Sequence, residues 1–285
     1  MRKDTANPPD LSVKDDGLFT PEVGDWAEEK YRLLWCYADL FATSMKKKWD
    51  ERCYIDLFSG SGYARIRRTK RIVQSSSLLA LQVTDPFDCY IFCDSDPRCI
   101  SSLKERVSRL SPQSKCFYKN CDVNKSYPDI ISGLPAFSRG HRVLAFCFID
   151  PFKLSDIKFS TIRKLSERFV DLLINIPAGE LRRNENLYSS KTSTLIADYL
   201  GTDSWRNVRS KGDPTIPFDL CIADIFDSQM KSLRYVYGGL SGYKMVRSTE
   251  KNLPLYRLVF YSRHKLGGKF WEEAKKYGDP QMHLF

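Results

Sequence analysis

Acids and glycines stand where strand-like runs of this chain end. "YIDLFSGSG" carries Asp56, Phe58, Ser59, Gly60 and Gly62, while "YIFCD" ends in Asp94, "KCFYKNCD" in Asp122 and "VLAFCFID" in Asp150. At the carboxyl edge of an open parallel sheet, glycines let backbone amides approach a ligand, and an acid at the tip of the second strand suits a ribose diol. The three-glycine dinucleotide pattern fails, because Arg65 stands at its third position. A plain strand-to-helix turn explains the glycine pair alone equally well. The acids decide: residues placed only for solvation would not track three successive strand ends.

The elements that must position these residues alternate along the chain. Apolar runs of strand length, "CYIDLF", "CYIFCD", "KCFYKNCD", "VLAFCFID" and "VDLLIN", are separated by helical stretches such as "DPRCISSLKERVSRL" and "FSTIRKLSERF". That alternation predicts an α/β fold: a mostly parallel sheet with helices on both faces. "YKMVRS" and "LYRLVFYSR" add a C-terminal antiparallel hairpin, making seven strands. Before the first strand, residues 25–49 have helical periodicity, with Asp25 as N-cap and lysines in the last turn. Residues 1–24 read as a flexible N-terminal arm and 25–285 as a single domain. Within it, 178–217 is a polar insertion facing substrate or partner, with one short helical stretch near Thr194–Leu200.

Composition narrows the classes. The 285 residues include 45 Lys plus Arg against 35 Asp plus Glu, a net charge of +10 that favours a polyanionic partner such as nucleic acid. Two basic clusters carry it: Arg65, Arg67, Arg68, Lys70 and Arg71, then Arg182, Arg183, Arg206, Arg209 and Lys211. Nine cysteines without a CxxC pair, and three histidines, read as buried thiols and no metal site. No apolar run approaches the roughly 18 residues of a membrane span. A soluble, cytoplasmic protein is expected.

In order and spacing, "DLFSGSG", "FCDSD", "CDVN" and "IDPF" resemble the motifs of class I S-adenosylmethionine-dependent methyltransferases. A closer resemblance is to the three-Cys-motif partner (TcmP) family of predicted bacterial methyltransferases. It rests on "VGDWAEEKYRLLWCY", "YIDLFSGSG", "FIDPF", "LLINIP" with Arg182 close behind, and "YRLVFYSRHKLGGKFW". "QSSSLLAL" departs from that family, with Ser75 and Ser77 where Gly and Pro are expected. The resemblance implies a Rossmann-like seven-stranded methyltransferase fold and S-adenosyl-L-methionine as cofactor. It puts Asp56, Ser59, Gly60 and Gly62 at the methionine end, with Phe58 on the sulfonium side. Asp94 would take the ribose hydroxyls and Asp122 the adenine amine. Trp26 and Lys30 share a helix face, from which Lys30 would reach the donor's carboxylate. The family name points to a protein partner.

Asp150, Pro151 and Phe152 are the expected catalytic residues. Methylating an exocyclic base amine of DNA or RNA requires acceptors that draw its lone pair out of conjugation; Asp150 and the Pro151 carbonyl supply them, and Phe152 a stacking ring. "DPF" looks more like the Asp-Pro-Phe-Gly of enzymes that methylate the guanine amine in tRNA than the Asp-Pro-Pro-Tyr of adenine amino-methyltransferases. Asn175 at the fifth strand end, with Arg67, Arg68, Arg182 and Arg183, would contact substrate. Two alternatives stay open: a non-catalytic nucleic-acid or partner-binding module that kept the fold, and a small-molecule or protein methyltransferase.

Overall fold

The computed structural model describes residues 9–277, so residues 1–8 of the expected arm and 278–285 of the expected domain lie outside the described residues. Short strands β1 (Ser12–Val13) and β2 (Glu22–Val23) precede helix α1 (Ala27–Met45). Strand β3 (Glu51–Asp56) leads through the glycine turn into a hairpin, β4 (Tyr63–Ile66) and β5 (Ile72–Gln74), then helix α2 (Ser76–Ala80). Next come β6 (Cys89–Asp94), α3 (Pro97–Leu110), β7 (Cys116–Asn120), α4 (Tyr127–Ser132), β8 (Val143–Ile149), α5 (Phe159–Leu165) and β9 (Val170–Ile176). Helices α6 (Ala178–Arg183), α7 (Glu185–Tyr188), α8 (Leu195–Leu200), α9 (Trp205–Lys211) and α10 (Phe218–Ser232) lead to β10 (Tyr237–Gly238), β11 (Lys244–Arg247), β12 (Pro254–Ser262) and α11 (Lys265–Tyr277).

The central sheet runs β7-β6-β3-β8-β9-β12, with β10 and β11 both paired to β12. Strands β7 to β9 are mutually parallel, and β12 is antiparallel to β9. This is the expected α/β, Rossmann-like architecture. The chain builds outward from β3 to β7 and then returns to β8 on the other side of β3, so the carboxyl ends of β3 and β8 flank the crevice where such sheets take ligands.

The strands are apolar on both faces, but the faces differ in side-chain size. Cys53, Ile55, Cys89, Ile91, Cys93 and Cys147 pack into one core; Tyr54, Tyr90, Phe92, Phe146 and Phe148 pack into the other. Alternation of small and aromatic residues preserves the period of two inside what reads as an unbroken apolar run. Helix α1 lays Leu33, Leu34, Tyr37 and Phe41 on the aromatic face. Among the described residues no helix is long and apolar enough to cross a membrane.

Several local expectations are corrected. The described part of the arm is not loose: Leu11 is buried, β1 pairs with β5, and β2 pairs with β4, completing a second, four-stranded sheet. The N-cap of α1 is Trp26 rather than Asp25, and Lys46 to Lys48 lie beyond its end. The insertion holds four short helices, of which only α8 coincides with the expected stretch. Pieces of four to seven residues are too short to print a helical period and owe their existence to packing.

Arg106 joins these parts. Buried in α3, it donates through Nε and Nη2 to both oxygens of Asp16 at 2.8 and 2.7 Å, and through Nη1 to the Ser61 carbonyl at 2.8 Å and the Phe19 carbonyl at 3.0 Å. Its guanidinium lies 4.2 Å from the Tyr63 ring centroid. The Arg106 hydrogen bonds hold the Asp16 carboxyl below its usual range. Arg106→Ala strands Asp16 and the carbonyls of Leu18, Phe19 and Ser61, and should lower unfolding free energy by about 3 kcal/mol in urea titration. A loss under about 1 kcal/mol would show that the clamp is dispensable.

Candidate functional site

The turn after β3 is built on two glycines with left-handed backbone, Gly60 at φ +59° and Gly62 at φ +88°. They serve different ends. A Cβ on Gly62 would sit 3.0 Å from Leu78 and Leu103, whereas a Cβ on Gly60 would meet nothing within 4 Å among the described residues. Gly62 is therefore a packing glycine, and Gly60 presents open backbone. The Gly60 amide donates to Asp94 Oδ2 at 2.9 Å, and the Ser59 amide to the Cys93 carbonyl at 2.8 Å, lashing the turn to the end of β6. A hairpin, not a helix N-terminus, follows the turn. Ser75 stands at the N-cap of α2, and Ser77 Oγ donates back to the Ser59 carbonyl at 3.0 Å, so the departure at "QSSSLLAL" still holds the turn. The hydroxyls of Ser59 and Ser75 are buried without a hydrogen-bond partner among the described residues.

The acids differ sharply in environment. Asp56 is fully buried, accepting from the Phe58 amide and Tyr54 hydroxyl, each at 3.2 Å. Burial pushes its carboxyl up to about 7, with nearby Asp150 adding to the rise. Asp94 is half-buried and takes the Gly60 and Asp96 amides; burial raises it too. Asp96 instead caps α3, accepting from the Arg98 amide at 2.9 Å with Pro97 in the first turn. Asp122 is exposed, accepts from the Asn124 amide at 2.9 Å and lies 3.5 Å from Lys125. Phe58 is half-buried against the small-residue core.

A second cluster forms at the end of β8. Lys30 is buried and its Nζ lies 2.5 Å from Asp150 Oδ2, while Asn175 Nδ2 donates to Asp150 Oδ1 at 2.8 Å. Lys30, expected at a donor's carboxylate, here spans from α1 to Asp150. The same contact dictates the Asn175 amide orientation, since its oxygen would repel the carboxylate. Asn175 Oδ1 is left buried and unpartnered among the described residues. Tyr31 and Tyr256 flank the ammonium at 5.7 and 5.8 Å, and Trp26 packs on Gly24 and lies 6.4 Å from Tyr256. Pro151 is buried, but Phe152 is 78% exposed. Sequence reasoning passed over Tyr256 and Arg106; only their proximity in space marks them.

The basic clusters are less available than their spacing suggests. Each of the five hairpin bases faces an acid: Arg65 with Asp15, Arg67 and Lys70 with Glu22, Arg68 with Asp25, and Arg71 with Glu28. Arg182 of the insertion and buried Arg257 of β12 share buried Asp219 of α10 at 2.6 Å each. Arg206 donates to the carbonyls of Ser189, Ser190 and Ser193, and Arg209 lies 3.0 Å from Glu185. Arg183 and Lys211 are exposed, without an ion pair among the described residues.

No protein-family model matches the chain, and no curated protein sequence matches it. Among solved structures, protein LPL1258 from Legionella pneumophila is similar at 11% identity and TM-score 0.47, over 90% of this chain and 94% of that one. Magnesium protoporphyrin IX methyltransferase from Synechocystis with bound S-adenosylhomocysteine follows at 9% and 0.39, over 83% and 84%. TYW2 from M. jannaschii in complex with S-adenosylmethionine is at 7% and 0.41, over 84% and 75%.

Asp56 generates a pH prediction. Its folded-state value near 7 exceeds an ordinary carboxyl's 3.8, so between those values the unfolded chain ionises while the fold keeps the proton. Asp56 therefore subtracts stability increasingly as pH rises from about 4 to about 7. Asp56→Asn removes that penalty: relative to wild type, it should gain at least about 1 kcal/mol in urea unfolding at pH 7.5 over pH 4.5. A difference independent of pH would mean that Asp56 is already ionised in the fold.

Proposed function

We propose that this protein is an S-adenosylmethionine-dependent methyltransferase whose acceptor is an exocyclic amine of a nucleic-acid base. One observation carries the reading: open Gly60, the Asp94 carboxylate and the Asp150 cluster meet at neighbouring strand ends beside the switch crevice. The residues fit the donor. Gly60 leaves room for close backbone approach, the unpartnered Ser59 hydroxyl waits for a polar group, and Asp94 retains lone pairs for a ribose diol. When bound, the donor supplies an electrophilic sulfonium methyl. The chain's part is placement: Lys30 and Asn175 grip both oxygens of Asp150 and fix its plane, so that it and the Pro151 carbonyl can orient an acceptor N–H. Exposed Phe152 offers a face for a base.

The motifs shared with the three-Cys-motif partner family support placing the chain near it, with a protein partner as part of that proposal. A second reading has its own support. Ion pairing throughout the hairpin favours an acceptor amine on a small molecule or protein, for which net charge is incidental.

Titration calorimetry should show S-adenosylhomocysteine binding to wild type and to Asp150→Ala, and at least tenfold weaker binding to Gly60→Asp, whose new carboxylate fills the open side. Absence of binding to wild type would end the donor assignment. With tritiated donor, label should enter DNA or RNA with wild type and not with Asp150→Ala. Arg67→Ala with Arg68→Ala should weaken nucleic-acid retention at low salt and leave donor affinity intact. Donor binding without nucleic-acid labelling, together with salt-insensitive retention, would turn the assignment to the second reading.

A further inference from the structure

At the opposite end of the central strands lies a cavity of about 380 Å³, near the lower end of the ~300 to 1,000 Å³ typical of small-molecule sites. It opens where β8 and β9 begin, at Leu144 and Val170, roughly 20 Å along the strands from Asp150. Its walls come from the end of α1, with Phe41 and Met45, from Trp49 in the segment after it, and from α11, with Leu266 and Phe270. Phe169 closes one side, its ring 5.6 Å from that of Trp49, and is itself half exposed. Four of these apolar residues, Trp49, Leu144, Leu266 and Phe270, remain only partly covered by the core behind them.

The polar lining is unequal in charge. Its single acid among the described residues, Asp171, is already engaged: Tyr37 Oη donates to it at 2.9 Å, and Ser262 also hydrogen-bonds it. Gly267 closes over that pair, where a Cβ would stand 2.5 Å from Ser262 Oγ and 3.0 Å from Asp171 Oδ2. Burial pushes the Asp171 carboxyl up to about 6, weakening it as an anchor for a cation. Three basic side chains face the cavity, Lys48, Arg263 and His264. Arg263 is occupied by the carbonyls of Ser166, Arg168 and Leu233. Lys48 and His264 are exposed and form no ion pair among the described residues.

We propose that this cavity binds a small amphipathic anion, its aliphatic or aromatic body between α1 and α11 and its carboxylate beside Lys48 and His264. The site is independent of the methyl-donor pocket. Apolar enclosure supplies the affinity, and the excess of basic groups selects the sign of the head group.

Three probes with the same body and different heads test it: octanoate, octylammonium and 1-octanol, each titrated calorimetrically into the full chain. Octanoate should bind one to one and at least fivefold more tightly than the other two. Lys48→Glu, an exposed substitution that spares the core, should weaken octanoate at least fivefold, and Lys48→Arg should restore it. S-adenosylhomocysteine affinity should stay unchanged in both variants. Octylammonium binding as tightly as octanoate, equal binding of 1-octanol, indifference to Lys48→Glu, or no binding of any probe would each overturn the proposal.

Discussion

One buried guanidinium organises the approach to the candidate site. Arg106 sits on a helix of the central fold, yet its hydrogen bonds end on the N-terminal strap at Asp16, Phe19 and Thr20 and on the glycine turn at Ser61. Taking such a charge out of water costs several kcal/mol unless nearly every donor finds a partner. Here they do, and the consequence is geometric. The turn after β3 can hold two left-handed glycines because its far end is pinned to α3 while its near end is lashed to β6 through Asp94. The four-stranded sheet rests on the same pin, since β4 starts directly after Gly62.

Much of the central sheet was legible in the chain, because strands covered on both faces must be apolar throughout. The acids at their ends were legible for the same reason, standing out against the runs they terminate. What escaped is what has no local period. Strands of two residues, β1 and β2, cannot display alternation, and four-residue β4 sets its inward Ala64 and Ile66 beside Tyr63 and Arg65. Ion pairs bridging 43 to 50 residues, such as Arg68 with Asp25 and Arg65 with Asp15, leave no mark on spacing. The same holds for Lys30 and Asp150, 120 residues apart. Cysteine usage, by contrast, has a packing explanation. Cys53, Cys89, Cys93 and Cys147 line the face that needs small side chains, opposite the face filled by tyrosine and phenylalanine.

The two carboxylates near the switch crevice are made unlike by their surroundings. Asp56 lies among backbone and hydroxyl donors with no cation bonded to it, and burial dominates. Asp150 has an ammonium on one oxygen and an amide on the other. Neighbouring strands thus deliver one carboxyl that resists ionising and one locked in orientation, a division of labour that the identical residue type concealed.

The acid-matched hairpin has a consequence for how any polyanion would meet this surface. Asp15, Glu22, Asp25 and Glu28 belong to the same chain as the bases they face, so they compete at the effective concentration of a tethered ligand, on the order of millimolar or more. A phosphate backbone arriving there would exchange one set of carboxylates for another set of anions. Fewer counterions would be released per contact than the net charge of +10 suggests, giving a shallower dependence of affinity on salt. The strap that supplies those acids would then act as a built-in competitor, favouring polyanions able to displace several carboxylates at once.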